Sequence, residues 1–151
     1  MKEKILISAC LLGAPCRYDG KSKPLPAETL RALREKFELV AVCPETLGGL
    51  VIPRLPSERL GDRVVTKDGR DVTAAYAAGA AAALRLAREN GCRLAVLKER
   101  SPSCGTGWVH DGLFAGGMTP GDGVTTELLK KNGLRVVGES AIPALLGEES
   151  R

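Results

Sequence analysis

Short apolar runs along the chain alternate with longer amphipathic segments. The apolar runs predict buried strands, because runs of about 4–8 apolar residues bounded by turn residues are typical of a parallel sheet. They lie at residues 4–8, 38–42, 93–97 and 134–137, with a further short strand predicted at 63–66. The amphipathic segments predict helices at 24–37, 71–90 and 122–132, and a final helical turn or two at 141–146.

Turn and capping residues support these boundaries. Asp71 is a candidate N-cap for the longest helix, and Gly91 and Gly133 follow the ends of two helices. Strands alternate with helices throughout, which predicts βαβ units. We therefore expect an α/β fold: a three-layer, Rossmann-like, open and mainly parallel sheet of about four strands with helices on both faces. No repeat or linker interrupts the pattern, so residues 1–151 are expected to form a single domain.

The composition narrows the function classes. Of the 151 residues, 44% are hydrophobic and 26% are charged, which excludes a disordered or fibrous chain. Only 3% are aromatic, which argues against a stacking surface for single-stranded nucleic acid. The net charge of +4 is mild and spread along the chain. We find no apolar run of membrane-spanning length and no signal-peptide pattern, so we expect a cytoplasmic protein without a membrane partner.

Five cysteines stand out against this background. Cytoplasmic thiols stay reduced, so these residues indicate metal binding, catalysis or burial rather than disulfides. Cys10, Cys43 and Cys104 each follow a predicted strand, and α/β sheets bind ligands at the edge where parallel strands end. Cys16 lies in the same loop as Cys10 and is within reach of that edge. Cys92 precedes a strand and is predicted to belong to the core.

Three thiolates at one edge are compatible with three kinds of chemistry. A structural zinc site prefers four ligands and closely spaced cysteine pairs, which the chain lacks, so His110 would have to supply the fourth ligand. An iron–sulfur cluster suits soft thiolates, and three protein ligands would leave one iron open to a substrate. The third alternative is a nucleophilic cysteine with His110 as the base and Asp111 beside it.

Three polar residues near the cysteines are further candidates. Glu45, in the segment Cys43-Pro44-Glu45, is the carboxylate nearest a candidate ligand and is suited to acid/base chemistry. Its alternative is a solvated loop carboxylate or one at a helix start. Ser101 and Ser103 precede Cys104, where their hydroxyls either bind a small polar ligand or cap the turn.

Taken together, the motifs resemble a known bacterial family. SACLLG at 8–13, CRYDG at 16–20, CPE at 43–45 and SPSCG at 101–105 occur in the order of that family. The family was long labelled a domain of unknown function, and it includes the thiouracil desulfurases. The resemblance extends from about residue 4 to residue 137, and the chain looks like the short form, without an extra C-terminal domain.

The resemblance implies a chemistry and its residues. It implies a [4Fe–4S] cluster held by Cys10, Cys43 and Cys104, with one iron open, and non-redox removal of sulfur from a thiolated pyrimidine such as 2-thiouracil, giving uracil and sulfide. Glu45 would be the acid/base group and Ser101 would position the substrate. Cys16 is not carried over, because relatives with the extra domain lack a cysteine at that position.

The implied partners are a thiolated nucleobase and the machinery that assembles iron–sulfur clusters. A thiolated nucleoside or an RNA-derived substrate is an alternative to the free base. Two other classes of function stay open on the sequence: a metal or iron–sulfur binding or sensing module without catalysis, and a structural zinc protein.

Overall fold

A parallel sheet forms the middle layer of the computed structural model, which describes residues 2–147. In this part of the chain the strands are β1 (Glu3–Ser8), β2 (Phe37–Val42), β3 (Ser57–Leu60), β4 (Arg63–Thr66), β5 (Leu94–Leu97), β6 (Trp108–His110), β7 (Met118–Pro120) and β8 (Arg135–Gly138). The helices are α1 (Ala27–Lys36), α2 (Pro44–Leu47), α3 (Thr73–Glu89), α4 (Val124–Lys131) and α5 (Ile142–Leu145). The central sheet has the order β2-β1-β5-β8, and all its strands are parallel.

Each face of the central sheet is covered by its own set of helices. Leu6 and Ala95 face a core that α3 and α4 cover, whereas their neighbours Ile7 and Val96 face a core that α1 and α5 cover. All four side chains are fully buried. Successive side chains of a strand point to opposite faces, so continuous apolar runs are what a sheet buried on both sides requires. The predicted three-layer α/β fold is confirmed.

The predicted helices are each two to four residues too long. The helix predicted at 24–37 is Ala27–Lys36, because Pro26 precedes it and β2 already begins at the next residue. Asp71 is not the N-cap of α3, which begins at Thr73 with Val72 in the cap position. The Asp71 carboxylate still accepts a hydrogen bond from the Thr73 backbone N–H at 2.9 Å, so it holds the chain at the helix start.

Two antiparallel hairpins lie outside the central sheet. β3 pairs with β4, and β6 pairs with β7. The sequence predicted only β4, because the other strands are three or four residues long and carry no clear apolar alternation. The short helix α2 was missed as well, since it has a single turn after Pro44.

The helices α2 and α3 pack together through direct backbone contact. A Cβ at Gly48 would overlap the carbonyl oxygen of Ala75, and a Cβ at Gly79 would overlap that of Pro44. Only glycine permits so close an approach. Because α2 follows directly on β2, this contact fixes the segment 43–45 relative to the sheet. Within residues 2–147, no helix is long and apolar enough to cross a membrane.

Gly79→Ala is expected to destabilise the protein. In a helix interior free of contacts this change would stabilise by about 1 kcal/mol, because alanine has the higher helix propensity. At position 79 the added Cβ must displace α2, and overpacking of this kind costs about 1–3 kcal/mol. Thermal unfolding measures whether Gly79→Ala lowers or raises the stability of the protein. Ala78→Gly, at an exposed position of α3, is the matched control and should lose only about 1 kcal/mol. A higher Tm for Gly79→Ala would contradict the close packing.

Candidate active site

A cavity of about 420 Å³ lies at the carboxyl ends of β1, β2 and β5. Its wall includes most of the residues that the sequence singled out as site candidates, but not Ser103 or Asp111; those that line it are Cys10, Cys16, Cys43, Glu45, Ser101, Cys104 and His110. Cys92 does not line it and is buried in the core beneath α3 and α4, as predicted. The common edge of the parallel strands thus brings distant parts of the chain together at one cavity.

The thiols reach the cavity from different elements. Cys10 lies in the 3-10 turn Ala9–Leu12 directly after β1, and Cys43 occupies the N-cap position of α2 directly after β2. Cys104 lies in the loop after β5. Cys10 and Cys104 are buried, whereas Cys43 and Cys16 are half-buried. The Cys43 thiol lies 3.9 Å from the carbonyl oxygen of Cys16, so the loop carrying Cys16 folds over the end of β2.

Burial disfavours the thiolate form of three of these cysteines. It raises the pKa of Cys10 to about 11, and the nearby Cys43 adds to the rise while the Lys98 ammonium opposes it. Burial, with Cys43 again contributing, raises the pKa of Cys16 to about 12. Burial also holds the pKa of Cys104 well above its usual range. These thiols are therefore protonated at neutral pH in the free protein, and a bound metal would have to displace the protons.

The thiols are spread around the cavity wall. Among residues 2–147, no three His, Cys, Asp or Glu side chains form a compact group around one ion position. Cys10, Cys43 and Cys104 come from the ends of three strands and meet at a cavity rather than at a point. Soft thiolates around a cavity are the donor set that an iron–sulfur cluster uses. The residues present fit such a group.

Glu45 is held by an arginine that the sequence did not single out as a site residue. Arg54 donates from Nε and Nη2 to Oε1 of Glu45, at 3.2 and 2.6 Å. Both side chains are largely buried, so the pair is screened little by solvent. The hydroxyl of Tyr76 also faces this carboxylate, and burial followed by the Glu45 charge raises the pKa of Tyr76. Within residues 2–147, Oε2, the other oxygen of Glu45, has no arginine partner.

Arg54 also connects Glu45 to the loop that carries Cys16. Its Nη2 donates to the carbonyl oxygen of Cys16 at 3.3 Å, and its backbone N–H donates to the carbonyl oxygen of Tyr18 at 2.8 Å. Cys16 lies 38 residues before Arg54 along the chain, so no local sequence pattern indicates this contact. The Arg54 guanidinium therefore fixes the position of the Glu45 carboxylate and also that of the Cys16 loop, which forms one wall of the cavity.

Ser101 shapes the loop that presents Cys104. Its Oγ accepts hydrogen bonds from the backbone N–H groups of Ser103 and Cys104, each at 3.1 Å, which is the turn-capping role. The Oγ of Ser101 lies 3.5 Å from Oε2 of Glu45, to which it is placed to donate. Ser103 is fully buried and pairs with the Thr125 hydroxyl at 2.8 Å, so it anchors the loop to α4 instead of facing a ligand.

His110 lines the cavity without forming the pair that the sequence suggested. The Asp111 carboxylate accepts from the backbone N–H of Leu113 at 3.0 Å, and it does not orient the imidazole. Within the described chain, the buried Nδ1 of His110 has no hydrogen-bond partner. The arrangement therefore lacks the oriented base that a Cys–His nucleophile requires.

Comparison with known proteins agrees with this geometry. Residues 5–141 match the family model described as 2-thiouracil desulfurase. The uncharacterized protein YbbK of Bacillus subtilis (strain 168) is 41% identical over 152 residues, and the match covers 94% of this chain and 99% of that protein. The solved structure of the [4Fe–4S]-dependent thiouracil desulfidase TudS superposes with a TM-score of 0.92 at 49% identity, covering 99% of each chain. The chain belongs to the 2-thiouracil desulfurase family.

Proposed function

We propose that the protein removes sulfur from a thiolated pyrimidine such as 2-thiouracil, with a [4Fe–4S] cluster as its cofactor. The observation that carries the proposal is the meeting of three strand-end thiols and the Glu45 carboxylate at one cavity of about 420 Å³. Family membership and the 49% identity to a [4Fe–4S]-dependent thiouracil desulfidase support it. The balanced reaction is thiouracil plus water giving uracil plus hydrogen sulfide, so no electrons are gained or lost.

Cys10, Cys43 and Cys104 would hold the cluster as thiolates. Lys98 lies near Cys10, where its positive charge favours the thiolate form. When bound, the cluster supplies a Lewis-acidic iron without a protein ligand, a soft partner for a thiocarbonyl sulfur. Cys16 is a wall residue in this proposal, and Cys92 is a core residue.

Glu45 would act as the acid/base group that transfers a proton from the attacking water to the leaving group. Arg54 binds Oε1, so Oε2 is the oxygen available to take a proton from a water that attacks the thiocarbonyl carbon. The new bond joins the water oxygen to that carbon, and the bond that breaks joins the carbon to sulfur. Glu45 then returns this proton to the sulfur, and the proton left on the attacking oxygen passes to the departing sulfur as the uracil carbonyl forms, so that sulfur leaves as hydrogen sulfide. A carboxylate fixed by two bonds from Arg54 loses little orientation freedom in this transfer.

Ser101 would help to position the substrate. Its contact with Oε2 of Glu45 is 3.5 Å long, at the weak limit for a hydrogen bond. Its two acceptor contacts with the backbone fix the oxygen but leave the hydroxyl proton able to rotate toward a pyrimidine carbonyl. We propose that the substrate is the free base, and thiolated nucleosides and RNA-derived fragments are the alternatives to be assayed. We also propose that iron–sulfur assembly proteins supply the cluster.

If Cys10, Cys43 and Cys104 are the cluster ligands, alanine variants of the five cysteines should differ in iron and sulfide content. After anaerobic reconstitution, the wild type should contain about four iron and four sulfide per chain, as the cluster formula requires. The variants Cys10→Ala, Cys43→Ala and Cys104→Ala should each lose most of both. Cys16→Ala and Cys92→Ala are the matched controls and should retain them. Wild-type protein that holds zinc and no sulfide would contradict the proposal in favour of a structural zinc site.

Glu45→Gln should lower sulfide release from 2-thiouracil about 100-fold or more, because a positioned acid/base group contributes about 10²–10⁴-fold. Sulfide release is measured anaerobically with 2-thiouracil, 4-thiouracil and thiolated nucleosides, beside iron content. Glu38→Gln, which removes an exposed carboxylate paired with Lys4 on β1, is the matched control and should leave the rate unchanged.

Two outcomes would count against these roles. Full activity of Glu45→Gln with intact iron content would show that Glu45 is not the acid/base group. A cluster-loaded wild type that releases no sulfide from any of these compounds would instead identify a binding or sensing module.

A further inference from the structure

We propose that Ser8 is a positioning residue for the iron–sulfur cluster, because its buried hydroxyl donates a hydrogen bond to the sulfur of Cys104. The inference rests on the proposed function, in which Cys104 is a cluster ligand. It deepens that proposal, because it assigns a residue that acts on the ligand itself. Ser8 is the first residue of the SACLLG segment, and the mechanism above gives it no role.

The first observation is the face of the sheet to which Ser8 points. Successive side chains of a strand point to opposite faces. Leu6 of β1 belongs to the core that also contains Cys104, whereas Ile7 belongs to the core on the other face. Ser8 ends the strand two residues after Leu6, so its side chain points to the side of Cys104. Ser8 and Cys104 are both buried, and both line the cavity.

The second observation is that the oxygen of Ser8 already accepts a hydrogen bond. The backbone N–H of Lys98, directly after β5, donates to Oγ of Ser8 at 2.8 Å. Because β1 and β5 are paired neighbours, this bond continues their pairing beyond the end of β5. A serine hydroxyl has one proton to donate in addition to its lone pairs. A buried hydroxyl proton requires an acceptor, and Lys98 does not provide one through its N–H.

The third observation is that the Cys104 sulfur provides this acceptor. Burial raises the pKa of the Cys104 thiol, and the hydrogen bond from the Ser8 hydroxyl opposes that rise. The Ser103 hydroxyl acts in the same direction with a smaller effect, and it is also paired with Thr125 at 2.8 Å. A sulfur that becomes a thiolate away from water needs donors around it, because a hydrogen bond to the charged form favours that form.

A donor on a ligand sulfur has an effect that can be measured apart from catalysis. Hydrogen bonds to the sulfurs are one of the factors that set the reduction potential of an iron–sulfur cluster. An added electron makes the sulfur more negative and strengthens its hydrogen bond, so removal of the donor lowers the potential. Desulfuration itself transfers no electrons. The potential therefore reports on the ligand and not on the reaction.

The test compares two variants of Ser8 with a matched control. Ser8→Ala removes the hydroxyl, whereas Ser8→Thr keeps it. Thr126 is fully buried and donates to the carbonyl oxygen of Cys104 at 2.9 Å, so Thr126→Val removes a buried hydrogen bond to the same residue but not to its sulfur. The reduction potential of the reconstituted protein is measured anaerobically by spectroelectrochemical titration, beside iron and sulfide content and thermal unfolding of the apoprotein.

Ser8→Ala should lower the ratio of reduced to oxidised cluster at a fixed applied potential about 3- to 10-fold, the effect of one modest hydrogen bond. For a one-electron couple this is a potential lower by about 30–60 mV. Ser8→Thr should stay within about 2-fold of the wild type, because it restores the donor. Thr126→Val should also stay within about 2-fold in this ratio, although its apoprotein should unfold at a lower temperature.

A second measurement uses the wild-type protein and does not depend on the stability of any variant. In a crystal structure of the cluster-loaded protein, Oγ of Ser8 should lie within hydrogen-bonding distance of Sγ of Cys104 and still accept from the Lys98 N–H. A Ser8 hydroxyl that donates to another acceptor in that structure would overturn the proposed role.

The outcomes separate the two proposals. A wild-type potential in Ser8→Ala would overturn the role of Ser8 and leave the proposed function standing. An equal shift in Thr126→Val would also overturn that role, because displacement of the Cys104 loop would then be the cause. Wild-type protein that takes up no iron and sulfide would overturn both proposals. Loaded protein that shows the Ser8→Ala shift but releases no sulfide would support the role of Ser8 and overturn desulfuration.

Discussion

The carboxyl ends of three parallel strands meet at one edge of the sheet, and the grouping of the three thiols depends on that constraint. β1, β2 and β5 are neighbours in the sheet, so the segments that follow them are neighbours too. Cys10, Cys43 and Cys104 are far apart in the chain but line one cavity for this reason. The backbone hydrogen bonds that pair β1 with β2 and with β5 bring these three residues together.

A polar network surrounds Glu45 and determines its orientation. Arg54 holds one carboxylate oxygen, Ser101 approaches the other, and the Tyr76 hydroxyl faces the group from α3. A buried ion pair of this kind contributes little net stability, because desolvation offsets much of the attraction. Its effect is geometric. The same Arg54 guanidinium also holds the loop of Cys16, so the carboxylate and the cavity wall are positioned together.

The sequence predicted those elements that can be recognised from a pattern of neighbouring residues. Continuous apolar runs identified all the central strands, and the position of a cysteine directly after a strand is enough to assign it to the binding edge. The β6–β7 hairpin was not predicted, because three-residue strands carry too little pattern. The contacts of Arg54 and Tyr76 with Glu45 arise only when remote segments meet, and nothing in their immediate neighbours along the chain indicates them. Among residues 2–147, the lack of a hydrogen-bond partner for the buried Nδ1 of His110 is likewise a property of the folded structure.

The backbone contact between α2 and α3 limits how this part of the chain can change. When two side chains crowd each other, a smaller residue on one side can relieve a larger one on the other. At Gly48 and Gly79 the atoms that an added Cβ would meet are the backbone carbonyl oxygens of Ala75 and Pro44, which no substitution removes. A smaller side chain at Ala75 or Pro44 would therefore not make room for a larger residue at either glycine. In the part of the chain that the structure describes, β2 is an edge strand that pairs only with β1, so this contact is also the second support for the strand end that carries Cys43.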